Sequence, residues 1–310
     1  MPTTTRPRFG SLQYWPRKRA KKFIPSVNWR HIKADSEGIL GLISYKVGMG
    51  TAVVKDNTDK SLTKGKRKAI PVTVLEVPKM KIFCVRFYKN GQVAKDVIVS
   101  NDKELKKVLK VPKNVSGDLD KVDGWDDIRI IVYSVPGFKK VPDLAELGIN
   151  AENKLAFVKS LIGREISPED IMKWKLVDVR GLTKGKGLQG PVRRFGITLK
   201  VAKSEKGRRK PGSLGPWKPS RVTFRVPMAG QLGMFTRVHY NNKVIDFGNV
   251  KEKDVNKKEG FKRYGKIKGN YIIVAGSVQG PSKRQILITP AMRPNKKQSK
   301  KDYELLEVKF

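Results

Sequence analysis

The chain has 310 residues, 38% of them hydrophobic, which is enough for a true core in one large domain or two ordinary ones. Its 67 Lys and Arg against 28 Asp and Glu give a formal net charge of +39, far beyond the roughly two to eight that suffices for solubility, and this implies a polyanionic partner. One cysteine and two histidines (Cys84, His31, His239) exclude an internal disulfide framework and a cysteine-cluster zinc site and leave little for histidine chemistry, so no cofactor is expected. No apolar run approaches the ~18 residues of a membrane span, and the N-terminus lacks the apolar centre of a secretory signal. A cytoplasmic protein is expected. Cys84, in the run IFCVRF, reads as a small core hydrophobe.

Residues 1–34 hold nine cations, four prolines and no carboxylate, with Phe9, Tyr14, Trp15 and Trp29 among them. This composition predicts an extended arm, set at 1–37, whose aromatics and arginines can stack on bases and pair with phosphates. From Gly38, the runs GILGLISYKVG, TAVV, IPVTVLEV and KIFCVRF predict strands. Asn90-Gly91 predicts a two-residue hairpin turn. Helices are predicted over 101–110, opened by an Asn101-x-x-Glu104 capping box, and over 151–161 and 167–174, with a strand over 128–135 between the first two. Residues 91–174 therefore read as a mixed α/β insertion. It is neutral: fifteen basic and fifteen acidic residues lie between Gly91 and Val179, so the charge excess sits in the flanks. Further strand runs follow at 175–181, 221–226, 234–240, 243–248, 271–280 and 285–290, and argue for a closed barrel over 38–90 and 175–290. A basic tail, 291–310, ends in DYELLEVKF, compatible with strand or helix.

Residues 180–225 carry fourteen Lys or Arg and one carboxylate, Glu205, with Gly or Pro every few residues. Such a segment cannot neutralise or bury itself, and a nucleic-acid backbone supplies the missing counter-charge. Residues 185–190 match G-x-G-x-x-G, but Pro191, Arg193, Arg194 and Gly196 lead into the β-like ITLKV, whereas a dinucleotide loop must open a helix. Glycines there allow close approach of a phosphate to backbone amides. The carboxylate pairs Asp126-Asp127 and Glu169-Asp170 read as a turn and a helix first turn. Trp217, in Gly-Pro-Trp-Lys-Pro, is either a loop anchor or a stacking tip. Two rival classes stay open, a nucleotide-dependent enzyme built on residues 185–190 and a chromatin-type DNA-binding protein.

The blocks TKGKGLQG (183–190), RKPGSLGPWKPSRV (209–222), MAGQLG (228–233) and KVGM (46–49), with RPRFGSL and PRKRAKK near the N-terminus, resemble the successive signatures of the ribosomal protein L3 family in its archaeal and eukaryotic form. The resemblance covers essentially the full length. It implies a mainly β fold, a six-stranded closed barrel of the translation-protein type with an extended basic N-terminal arm and a long central basic loop, 181–230. It also implies a structural constituent of the large ribosomal subunit, without catalysis or a small-molecule substrate, that joins early in assembly. Its partners would be large-subunit rRNA and neighbouring ribosomal proteins. Matching the blocks assigns rRNA contact to Lys184, Lys186, Gln189, Arg193, Arg194, Arg208, Arg209 and Arg221, and their loop neighbours Lys210 and Lys218 join them. The arm adds Arg6, Arg8, Arg17, Lys18, Arg19, Lys21 and Lys22. Pro216 and Trp217 match the loop tip near the peptidyl transferase centre. Two departures stand out. Gly50 intervenes where the family runs from Gly-Met to Thr, which bears on the local turn, and Arg221 replaces a modifiable histidine of eukaryotic relatives.

Overall fold

A computed structural model describes residues 13–34, 36–113, 115, 118–134, 136–203 and 206–310. Arg6 and Arg8 lie outside the described residues. The chain divides into two compact units, one holding residues 13–23 and 182–237 and the other residues 24–181 and 238–310.

The second unit is mainly β. Its strands begin with β1 (Gly38–Ile39), β2 (Leu42–Asp56), β3 (Arg67–Val77), β4 (Met80–Lys89), β5 (Gln92–Ile98), β6 (Asp127–Ser134), β7 (Asp143–Asn150) and β8 (Leu176–Leu182). After β9 (Leu188–Gln189) and β10 (Gly230–Gln231) come β11 (Thr236–Asn249), β12 (Asn270–Ala275), β13 (Gln285–Pro290) and β14 (Tyr303–Lys309). One sheet has the order β13-β8-β11-β12-β3-β2-β14, and β13 pairs with β2 as well, so six strands form a ring-like sheet. The β-branched runs explain it: Val72, Val74, Ile43, Val179, Ile272 and Ile288 bury their side chains almost completely. Each such side chain contributes roughly 1.5–3 kcal/mol. The second sheet, β1-β7-β6-β4-β5, contains the expected hairpin, with Asn90 and Gly91 both at positive φ (51° and 78°). Cys84 is a core residue beside Phe83, Leu105 and Tyr133, and burial pushes its thiol up to about 12.

The expected helix over 101–110 is absent apart from a 3-10 turn at Leu105–Lys107. Leu105 drops fully into the small cluster of Cys84, and the Asn101 amide donates to Lys113 O (3.1 Å) instead of capping. The second helix forms as α1 (Lys154–Leu161), where Asn153 accepts from Ala156 N, and the third is one turn, α2 (Pro168–Ile171), with Glu169 and Asp170 in its first turn. No strand forms at 221–226 or 197–201. There is no turn at Gly50, because β2 runs straight through it. A Cβ there would lie 2.7 Å from Lys309 O and 2.5 Å from Phe310 Cδ1, so the glycine lets β14 lie close against β2. DYELLEVKF is therefore a strand. Trp29, expected to be available for base stacking, is instead buried at 5% exposure, where a Cβ at Gly41 or Gly148 would meet its ring at 3.0 Å.

Candidate nucleic-acid interface

The other unit is built on a backbone ribbon. Thr183 N donates to Phe235 O (3.0 Å), Lys186 N to Leu232 O (2.9 Å) and Leu232 N to Gly187 O (2.9 Å), and β9 pairs antiparallel with β10. Gly233 permits the closest approach: its φ is 80°, and a Cβ would sit 2.0 Å from Lys184 O. After the ribbon, α3 (Pro191–Phe195) forms where no helix was expected, ended by Gly196 at φ 69°. It does not revive the dinucleotide reading. The G-x-G-x-x-G residues follow a strand of an antiparallel sheet, β9 lies within the motif, and the single helical turn ends in Arg193 and Arg194.

Residues 13–23 belong to the same unit. Ala20 N donates to Met234 O (2.9 Å), and Arg17 and Arg194 exchange bonds: Arg17 Nη1 donates to Arg194 O (2.7 Å) and Arg194 Nη2 to Arg17 O (3.4 Å). Arg194 also donates from Nε to Gln231 O and from Nη1 to Met228 O, both at 3.0 Å. Burial pulls its guanidinium below the ordinary arginine range. Trp15 packs on Phe195 (centroids 5.6 Å) and Phe224 (6.2 Å), and the Arg17 guanidinium lies 4.3 Å from the Phe195 ring centre.

Electrostatics decide what this unit can do. Residues 1–23 and 182–237 together hold twenty-one Lys or Arg and a single carboxylate, Glu205. Lys184, Lys186, Arg193, Arg208, Arg209, Lys210, Lys218 and Arg221 are exposed, as are Lys18, Arg19, Lys21 and Lys22. Arg17, Gln189 and Arg194 are half-buried, and Gln189 Nε2 donates to Lys186 O (2.6 Å). Arg208 Nε donates to Lys200 O (3.1 Å). At the tip Trp217 is 88% exposed beside exposed Pro216, and Ser220 donates to Trp217 O from both N (2.9 Å) and Oγ (2.8 Å). A groove of about 700 Å³ with apolar walls, Ile197, Leu214 and Val226 among them, has Lys200, Lys210 and Arg225 along it. Lys200, Lys203, Lys206, Arg225 and Arg237 belong to the same unit and were not singled out from the sequence, although the charge run contains the first four. Among the described residues no three His, Cys, Asp or Glu gather where a metal ion could be held, and no helix is long and apolar enough to cross a membrane.

The family model for ribosomal protein L3 matches residues 1–110 and 86–310. The chain belongs to the ribosomal protein L3 family. It is similar to the large ribosomal subunit protein uL3 of Archaeoglobus fulgidus, with 41% identity over 94% of this chain and 93% of the relative. The protein of the same name from Methanobrevibacter smithii is 39% identical over 94% and 93%, and that from Methanocaldococcus jannaschii 36% over 93% and 92%.

The L3 signature blocks that lie apart in sequence meet in the fold. Block 183–190 pairs with block 228–233 through β9, β10 and the flanking backbone bonds. Block 209–222 is the exposed excursion they carry, with Trp217 on it. Gly230 in the second of these blocks lets the Arg194 side chain lie close, since a Cβ there would sit 2.8 Å from Arg194 Nη1.

Proposed function

We propose that this L3-family chain is a structural constituent of the large ribosomal subunit and binds large-subunit rRNA through the unit of residues 13–23 and 182–237, without catalysis of its own. The observation that carries the reading is the charge of residues 1–23 and 182–237, twenty-one cations against one carboxylate, on a scaffold held by backbone ribbon bonds. A polyanion with closely spaced phosphates is the partner that neutralises it. The relatives' shared name, large ribosomal subunit protein uL3, supports the same assignment. Neighbouring large-subunit proteins and a place on the cytoplasmic ribosome follow from it.

Within this reading the exposed lysines and arginines meet phosphates, while Arg17, Gln189 and Arg194 act chiefly by shaping the unit that presents them. Trp217 and Pro216 form the tip that reaches toward the peptidyl transferase centre, and binding occurs early in subunit assembly. We read the ring-like sheet as a six-stranded closed barrel over 38–90 and 175–290, bearing the insertion 91–174, the loop 181–230 and the tail 291–310. The arm, set at 1–37, presents its RNA-facing part before residue 24, since Trp29 and Ile32 are core.

Co-sedimentation from a salt-washed cell extract tests the assignment: the protein is expected with large subunits, and its recovery in the free fraction sinks it. In vitro, Arg208→Ala/Arg209→Ala/Lys210→Ala should weaken binding to large-subunit rRNA. Saturable micromolar binding of NAD or ATP in equilibrium dialysis would instead support an enzyme, and preference for duplex DNA over structured rRNA a chromatin-type protein.

A further inference from the structure

We propose a second, preformed RNA-binding surface on the other unit, the segment 250–269 between β11 and β12, which contacts the phosphate backbone of folded rRNA. The proposal rests on the rRNA reading above and adds a site to it. Between residues 255 and 268 the segment alternates buried anchors with exposed cations. Val255, Phe261, Tyr264 and Ile267 are all buried, whereas Lys257, Lys258, Lys262, Arg263, Lys266 and Lys268 are all exposed. Glu259 is the one carboxylate in that interval, Glu252 and Asp254 precede it, and among the described residues none of the six cations forms a salt bridge, while the charge of Lys268 favours the ionised form of buried Glu76.

The segment holds its shape through its own bonds. Asn256 clamps Ile267 twice, donating from Nδ2 to Ile267 O (3.1 Å) and accepting from Ile267 N (2.8 Å). Phe261 N donates to Gly265 O, and Tyr264 N and Gly265 N donate to Phe261 O, which closes a tight tip. The Tyr264 hydroxyl donates to buried Glu76, and the Phe261 ring meets Phe310 edge-on with centroids 4.7 Å apart. Gly260 and Gly265 let the two sides touch, since a Cβ on Gly260 would lie 3.2 Å from Gly265 C.

Two observations point to a ligand and to its class. Arg263 stands at the outermost turn with φ 66°, a left-handed conformation that a bulky side chain disfavours and that glycine would hold without strain. That strained position, held here by an arginine rather than a glycine, marks Arg263 as the side chain to test. In addition, every apolar side chain of 255–268 is buried, so the exposed face offers nothing for the apolar centre of a protein–protein interface and no aromatic on which a single-stranded base could stack. What remains is an anchored, predominantly cationic rim, six exposed cations to one exposed carboxylate between 255 and 268, suited to phosphates of structured RNA, read by backbone and shape.

The test uses the full chain and large-subunit rRNA transcribed in vitro, with binding measured across a salt series. Lys262→Ala/Arg263→Gly/Lys266→Ala should weaken binding and make the slope of log K against log salt shallower by about two to three, while its melting temperature stays at or above that of the parent. If the triple variant melts low, Arg263→Gly alone decides, with an expected slope change of about one. Unchanged slope and affinity, with the Arg208/Arg209/Lys210 variant impaired, would overturn this surface and leave the proposed function standing. Unchanged binding by both variants would overturn both. Normal rRNA binding combined with failure to enter subunits would assign the rim to an acidic protein neighbour and overturn the RNA proposal.

Discussion

Trp15, Trp29 and Trp217 show how far residue type alone carries. All three lie in basic, proline-containing stretches, yet Trp29 is 5% exposed, Trp217 is 88% exposed, and Trp15 is half-buried on Phe195 and Phe224. Trp217 was legible, because flanking prolines in a cationic loop leave an indole no core to join. Trp29 was not, since its seat depends on Gly41 and Gly148, far along the chain in one case, and nothing local signals that two glycines will face one ring. The difference is measurable. Trp29→Ala should cost about 3–5 kcal/mol of folding stability, as large buried aromatics do. Trp217→Ala should leave the melting midpoint of the isolated protein within the ~0.5 kcal/mol equivalent of a surface change, while rRNA contact loses on the order of 1–3 kcal/mol if the indole stacks on a base. A large drop in midpoint for Trp217→Ala would defeat the tip reading. Arg194 teaches the complementary lesson: its place in a signature block suggests an RNA contact, and the fold turns its Nε, Nη1 and Nη2 to the carbonyls of Gln231, Met228 and Arg17. Sequence places a cation in a basic run and cannot say which way the fork turns.

Strands were the readable elements because β-branched runs bounded by Gly and Pro need no distant partner to declare themselves, and β3, β6, β12 and β13 lie where those runs are. The failures were local patterns overridden by tertiary contact. A capping box and good helix formers at 101–110 yielded one 3-10 turn once Leu105 entered a separate cluster, and the β-like 221–226 and 197–201 found no partner strand. The turn between β2 and β3 shows the reverse, a basic tip held by one carboxylate. Asp56 accepts from Thr58 N (3.0 Å), Ser61 Oγ (3.1 Å) and Thr63 Oγ1 (2.5 Å). Hydrogen bonds from Thr58 first, then Thr63 and Ser61, hold its carboxyl well below the usual range against the opposing effect of burial. A carboxyl whose folded pKa is depressed contributes stability above its unfolded value of about 4 and loses it as pH falls through the folded one. Asp56→Asn should therefore destabilise at pH 7 by on the order of 1–3 kcal/mol, the range for bonds to a charged group, with the gap to the parent narrowing below pH ~4. Urea melts at neutral and acid pH check this, and a gap independent of pH would show that the charge contributes nothing.

At the scale of the molecule, the uneven charge was legible from counting, since a neutral middle and basic flanks are properties of composition. The assembly of the basic unit was not, because Arg17 meets Arg194 across most of the chain and only the fold brings them together. The two units should answer salt and protease differently. If ten cations meet phosphates, log K for rRNA should fall against log salt with a slope of about minus seven to minus nine, and a slope shallower than about minus three would mean the charge is largely solvated. Protease reads the free protein instead. Among the described residues of 13–23 and 182–237 only Leu182, Phe195 and Ile197 are buried large apolar side chains, whereas the other unit has a contiguous core. Local opening follows burial. Trypsin should therefore cut first around Arg208, Arg209 and Lys210, leaving residues 24–181 and 238–310 associated and resistant, and added rRNA should slow those cuts. The segment 250–269 sharpens the test because it is as lysine-rich as the loop but anchored by Phe261, Tyr264 and Ile267. Cleavable side chains are exposed at both places, so a difference in rate reports chiefly backbone anchoring. Lys262 and Arg263 should survive while Arg208 and Arg209 are cut, and equal rates at both would show that those buried anchors do not hold the rim in place.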